Sequence, residues 1–306
     1  MRGVVAAGAL LMIAGCAAKG DPTESEQPIA LAADGAMWGT DTHMPPGQPS
    51  ALMRYADHAR GYAALRLPQG DGPFPLAVLF HGGCWKAGVA DTAYLAPLAT
   101  RWQQQGIATL NVDYREVGEG KFGGGGWPNS FTDWQKAAGL IDQLLANYPI
   151  DRNRITLVGH SAGALPALWL AEQRGTTSPG GGAAPVKARA AIIFDGPADV
   201  GAEREAFDAL CEFSAVDPFM GGSPDAVAGR YAAISPGEHP PQLKEILFVN
   251  ARLPQPPKSA LDAVGAGGAK VETRSNPGAS HFDIITPGAE AYTANEPAIM
   301  KVLRGE

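Results

Sequence analysis

The sequence predicts an α/β fold built on a mostly parallel central sheet with helices on both faces. Three observations point there. Short, mainly apolar runs of four to seven residues recur from residue 61 onward. Longer segments of helical pattern separate them. The apolar runs are continuous rather than alternating, as expected of strands covered on both faces.

In chain order, the first strand is expected over Gly61–Leu67 (GYAALRL) and the second over Leu76–Phe80, where LAVLF ends at His81. Ile107–Val112 (IATLNV) and Ile155–Val158 (ITLV) follow, then Ala190–Phe194 (AAIIF), which ends at Asp195. Ile246–Val249 (ILFV) runs through Asn250 into the proline-rich stretch ARLPQPP, and Val271–Arg274 (VETR) is the last strand. Helices are expected over Thr92–Gln105, Ser130–Tyr148, Ala162–Gln173, Lys258–Val264 and Ala289–Leu303. The βα alternation makes this one domain, and no internal repeat is visible. Two glycine clusters interrupt the rhythm. Gly180-Gly181-Gly182 reads as a surface loop. Gly123–Gly126 leaves the C-terminal end of a predicted strand, where such sheets bind ligands, and reads equally as an active-site rim or a flexible loop.

The 306-residue chain carries a formal charge of −7, with 39 Gly and 26 Pro. No Lys/Arg run appears, so nucleic-acid binding has no electrostatic basis. The first twenty residues stand apart. Arg2 precedes an apolar stretch, Val4–Ile13, too short to span a bilayer, and Ile13-Ala14-Gly15-Cys16 follows. These residues resemble the lipobox of bacterial lipoproteins. The resemblance implies cleavage before Cys16 and acylation of its sulfur; the plainer alternative is an ordinary secretory signal cut nearby. The expected organisation is a signal peptide over 1–15, a tether over 16–50 rich in Pro, Gly, Ser, Thr and acidic residues, and the α/β domain over 51–306. The implied location is the cell envelope, lipid-anchored, with Ala17 favouring the outer membrane facing the periplasm. Beyond Cys16 only Cys84 and Cys211 remain. Two cysteines do not establish a pair, even in an oxidising compartment, and Cys84 lies inside a motif, so no disulfide is expected.

The strongest motif is Gly159-His160-Ser161-Ala162-Gly163, a G-x-S-x-G between an apolar strand and a helical run. Serine chemistry needs this arrangement: the hydroxyl stands exposed on a sharp turn, the next N–H faces the reacting oxygen, and the glycines let strand and helix approach. A second motif, His81-Gly82-Gly83-Cys84-Trp85, follows the LAVLF strand and resembles the HGG oxyanion-hole motif of lipases and esterases. It implies oxyanion donors at Gly83 or Cys84, together with Ala162. His81 reads as a structural hydrogen-bonding residue.

With both motifs in place the chain resembles the α/β-hydrolase superfamily, and within it the small esterase and kynurenine-formamidase-like group with HGG-x-W. The resemblance extends over roughly residues 50 to 300, through NVDYREVG, GGGWPNSFTDW, YPIDRNRITLVGHSAGALPALWLA, FMGGSPDAVAGRYAAISP and PGASHFDII. It implies that the base is the last histidine in the chain, His281, on the loop after the final strand. His43, His58 and His239 lie elsewhere.

The acid departs from the family pattern. Its usual place, after the strand before the last, falls at Leu253 or Pro254, and neither side chain can orient an imidazole. Some lipases carry the acid one strand earlier. Here Phe194-Asp195-Gly196-Pro197-Ala198 resembles the pancreatic-type lipase segment with a relocated acid, which makes Asp195 the candidate and Asp199 the alternative. Asp262 and Asp283 are poorer choices. The expected activity is a serine hydrolase cleaving a small carboxylic ester through Ser161, His281 and Asp195, with no metal or organic cofactor. Trp85, Trp127 and Phe282 are candidates for the substrate pocket, though each reads as readily as a core aromatic. Two alternatives stand beside it: an N-formyl or other amide hydrolase, and a non-catalytic binding lipoprotein that has lost the acid.

Overall fold

A computed structural model describes residues 44–172, Pro179 and 186–306, all within the unit Gly35–Glu306. Cys16, the lipobox and the Gly180–Gly182 cluster lie outside the described residues. Eight strands form one sheet: β1 (Ala51–Arg54), β2 (Tyr62–Arg66), β3 (Phe74–Phe80), β4 (Ala108–Val112), β5 (Ile150–His160), β6 (Ala190–Phe194), β7 (Glu245–Asn250) and β8 (Lys270–Ser275). Their order is β1-β2-β4-β3-β5-β6-β7-β8. The β1–β2 and β2–β4 pairs are antiparallel and the others parallel. This is the α/β-hydrolase fold that the sequence predicts.

The helices are α1 (Ala96–Gln104), α2 (Asn129–Ala138), α3 (Leu140–Asn147), α4 (Ala164–Trp169), α5 (Arg204–Cys211), α6 (Val216–Met220), α7 (Ala228–Ala232), α8 (Lys258–Gly265) and α9 (Glu290–Arg304). Alternate strand residues serve opposite faces, as the strand period of two requires. Val78, Leu157, Ile193 and Phe248 pack with α2, α3 and α4 on one face. Leu79, Val158, Ile192 and Leu247 pack with α1 and α9 on the other. The central strands are therefore apolar on both sides, which is why they were readable as continuous runs.

Three departures from expectation have local causes. The helix expected over Ser130–Tyr148 is two helices that meet at Gly139, whose flexible backbone disfavours a helix interior. Strand β1 was not foreseen: its residues alternate between half-buried and exposed at the sheet edge, so no apolar run marks it. Gly123 and Gly125 of the Gly123–Gly126 stretch are close-packed, while Gly124 faces open space. A Cβ on Gly123 would lie 2.1 Å from the Gly118 carbonyl oxygen, and one on Gly125 would lie 2.3 Å from that of Arg115.

Candidate active site

Strand β5 ends at His160, and Ser161 follows at once with φ of 55°, a left-handed conformation that a side chain adopts only when its surroundings impose it. The two motif glycines explain how. A Cβ on Gly159 would sit 2.1 Å from the Gly163 carbonyl oxygen, and one on Gly163 would sit 2.0 Å from that of Phe80. Only glycine lets the turn close this tightly against β3. Ser161 is buried, and the N–H of Ala162 opens the short helical turn Ser161–Gly163 that leads into α4, where amides have no intrahelical partner.

The loop after β3 passes directly beside this serine. A Cβ on Gly82 would lie 2.8 Å from the Ser161 Cβ. Gly83, Cys84 and Trp85 then take φ values of 100°, 53° and 52°, three successive left-handed residues. The Lys86 N–H closes the turn onto the Gly83 carbonyl at 2.9 Å. Among the described residues, the Gly83 and Cys84 N–H groups have no protein acceptor. His81 is buried, stacks on Tyr114 at 4.3 Å and reaches Asp113 at 3.2 Å, which suits a structural residue.

Asp195 is the first residue after β6, also left-handed at φ 45°, with its side chain fully buried. Its Oδ2 meets the His281 Nδ1 at 2.7 Å. The other contacts of this carboxylate come from the proline-rich loop. The Ala251 N–H donates at 2.9 Å, the Arg252 N–H at 2.8 and 3.1 Å to the two oxygens, and the Leu253 N–H at 2.9 Å. The segment that lacks an acid of its own thus wraps its backbone amides around the acid of the neighbouring strand. Strands β6 and β7 pair in parallel with Phe194 opposite Val249, so Asp195 emerges beside the start of that loop. Burial alone would raise the pKa of this carboxyl. The hydrogen bond and charge of His281 and the amides of Ala251 and Arg252 outweigh it and hold the pKa below the ordinary value. Gly196 completes the junction: a Cβ there would meet the Ser161 carbonyl oxygen at 2.6 Å.

The other candidate acids are engaged elsewhere. Asp199 accepts from the N–H groups of Gly201 and Ala202 and from Ser235. Asp262 pairs with Lys258 at 2.6 Å, and Asp283 accepts the Ser280 N–H at 2.8 Å. Asp195 is the carboxylate that the structure brings to His281.

Two expectations need correction. Cys84 and Cys211 are joined by a disulfide that fastens the loop after β3 to the end of α5 across a sequence separation of 127. The left-handed turn at Cys84 directs its side chain away from the loop amides and toward α5, so one residue serves both the motif and the bond. Trp85 is wholly buried, stacked on Phe219 at 4.4 Å and tilted against Phe207 at 4.9 Å; it is a core ring and not a pocket wall. Trp127 is half-buried against Phe131 with the Arg230 guanidinium over its ring. Phe282 lies beside the site, with its ring 5.1 Å from His281 and 5.5 Å from His160.

The sequence reading missed Tyr94 and the second role of His160. The buried Tyr94 hydroxyl contacts the Gly82 N–H and lies 2.9 Å from the His160 Nδ1, while the His160 Nε2 lies 2.9 Å from the His281 carbonyl oxygen. No sequence signal marks Tyr94, which falls in a segment read as helix. Among the described residues no three His, Cys, Asp or Glu side chains are grouped to hold a metal ion.

Comparison with known proteins places the fold and the family. No curated protein matches the chain. Among solved structures the chain is similar to Thermogutta terrifontis esterase 2 phosphoramylated by tabun, with 18% identity, a TM-score of 0.62 and coverage of 85% of this chain and 96% of that one. It is also similar to an inhibited esterase B from Lactobacillus rhamnosis, with 15% identity, a TM-score of 0.65 and coverage of 85% and 89%. A bifunctional GH43-CE protein of Bacteroides eggerthii matches at 19% identity with a TM-score of 0.59 over 81% of this chain, which spans only 34% of that protein. At such identities the likeness shows the fold. The BD-FAE family model matches residues 65–239, more than half of the chain, a span holding the loop after β3, the Ser161 turn and Asp195. The chain belongs to the BD-FAE family.

Proposed function

We propose that this protein is a serine hydrolase that cleaves a small carboxylic ester through an acyl-enzyme. Ser161 attacks the carbonyl carbon. His281 takes the serine proton and returns it to the leaving alcohol, then activates the water that releases the acid. Asp195 holds the imidazole in the tautomer with hydrogen on Nδ1 and stabilises the imidazolium. The amides of Gly83 or Cys84, together with Ala162, stabilise the oxyanion, each such donor being worth about 3 kcal/mol in the transition state.

The observation that carries this reading is the 2.7 Å contact between the His281 ring and a buried carboxylate that also accepts four amide contacts from the neighbouring loop. It also weakens the idea of a binding protein without an acid. The solved relatives include a Thermogutta terrifontis esterase with butyrate or propionate bound, which favours a short acyl group here. We further propose that the chain is attached to the bacterial envelope through lipid on Cys16. Among the described residues no helix is long and apolar enough to cross a membrane.

The test is hydrolysis of p-nitrophenyl esters from acetate to laurate, together with fluorophosphonate labelling. Wild type is expected to prefer the short esters and to label at Ser161. Ser161→Ala and His281→Ala are expected to lose at least about 10³-fold in kcat and to lose labelling. Labelling that survives Ser161→Ala would refute the assignment.

A further inference from the structure

Three loops must hold register for such a site to work: the one bearing the oxyanion amides, the serine turn, and the one bearing the base. Side chains outside the triad join all three. The chain of contacts runs from the Gly82 N–H to the Tyr94 hydroxyl, from there to the His160 Nδ1 at 2.9 Å, and from the His160 Nε2 to the His281 carbonyl oxygen at 2.9 Å.

The chemistry of each partner fixes every proton in this chain. A carbonyl only accepts, so the His160 Nε2 carries a hydrogen. Burial, then the neighbouring His281, lowers the His160 pKa to about 3, which leaves the ring neutral and its Nδ1 bare. The Tyr94 hydroxyl therefore donates to Nδ1 and accepts from the Gly82 amide. Burial raises the Tyr94 pKa, so the phenol keeps the proton it donates. Tyr94 and His160 are buried and each has both ends of its polar group satisfied.

We propose that Tyr94 and His160 are positioning residues that hold the oxyanion loop and the base loop in register about Ser161. This rests on the ester-hydrolase reading above. Taking up the Gly82 N–H fixes the peptide plane ahead of Gly83, so the amides of Gly83 and Cys84 are the ones left for substrate. Gly82 itself fills the space between the serine and the tyrosine, since a Cβ there would lie 2.8 Å from both the Ser161 Cβ and the Tyr94 hydroxyl oxygen. At the far end, the His281 backbone is held by His160 and its ring by Asp195, so the imidazole is fixed at two points. The His160 ring also lies 4.4 Å from the His281 ring, and as a neutral ring it adds no charge beside the imidazolium that forms there.

The experiment compares wild type, Tyr94→Phe, His160→Phe and His160→Gln on p-nitrophenyl butyrate, with kcat expressed per fluorophosphonate-titrated site and Ser161→Ala as the control. Glutamine keeps one donor and one acceptor; phenylalanine keeps neither. Tyr94→Phe and His160→Phe are expected to lower kcat per titrated site by about 10²-fold, the scale of a small misplacement of reacting groups, with KM within about threefold. Their rate of phosphonylation falls in parallel, and His160→Gln recovers most of the loss. If both phenylalanine variants keep wild-type kcat per site, or if glutamine is no better than phenylalanine at position 160, the positioning role is overturned while the triad stands. If Ser161→Ala is as active as wild type, the ester-hydrolase reading fails first and takes this one with it.

Discussion

At the scale of single residues, the site depends on backbone conformations that ordinary side chains avoid. Ser161 and Asp195 both stand at positive φ, and the glycines around them remove the Cβ atoms that would keep these turns from closing. Gly163→Ala should therefore destabilise the fold by more than about 2 kcal/mol, because its Cβ meets backbone rather than a movable side chain. Denaturant unfolding checks this, and an unchanged midpoint would contradict it. Glu203 gives a pH-dependent prediction. Burial, and to a smaller extent the charge of Asp199, raise its pKa from 4.5 to about 7 against the hydrogen bonds it accepts from Asp199 and Ala198. A raised folded-state pKa means that its contribution is fully present below the unfolded value and is lost as pH rises from about 4.5 through 7. Glu203→Gln should flatten the fall in stability over that window by on the order of 3 kcal/mol. Urea unfolding at pH 4.5 and pH 8 reads the difference, and identical pH slopes for the two proteins would count against it. Ser161 and His281 were identifiable as candidates from motif and chain order. The amide clamp on Asp195 was not, because backbone N–H groups of Ala251, Arg252 and Leu253 have no signature in side-chain sequence.

At the scale of elements, the site is an assembly of strand ends. Strands β3, β5 and β6 deliver the Gly82–Trp85 loop, Ser161 and Asp195 side by side because they are adjacent and parallel, and β7 and β8 lead into the loops that surround Asp195 and carry His281. Apolar runs made these strands readable. Helices α5, α6 and α7 were not, since each has eight residues or fewer and their buried residues follow no long helical stripe. The disulfide was invisible for the same reason: nothing in the sequence brings residue 211 to residue 84 until α5 packs beside the loop after β3. Closing so long a loop constrains the unfolded chain, so Cys84→Ser/Cys211→Ser should lose about 4 kcal/mol of stability. Wild type with and without reductant should show the same difference in urea, and matching curves for all three samples would exclude it.

At the scale of the whole molecule, the parallel sheet sets Asp195 beside the proline-rich loop. Phe194 at the end of β6 lies opposite Val249 of β7, so the amides of Ala251, Arg252 and Leu253 reach the Asp195 carboxylate and form its hydrogen-bond cradle. Fold class followed from the alternation of apolar runs and helical segments, while Asp195 was singled out only by the local resemblance of F-D-G-P-A. The most direct test is kcat on p-nitrophenyl butyrate for Asp195→Asn beside Asp199→Asn. Asp195→Asn should lower kcat by about 10⁴-fold with the fold intact, and Asp199→Asn should stay within about threefold of wild type. Near wild-type turnover in Asp195→Asn would contradict the relocated triad.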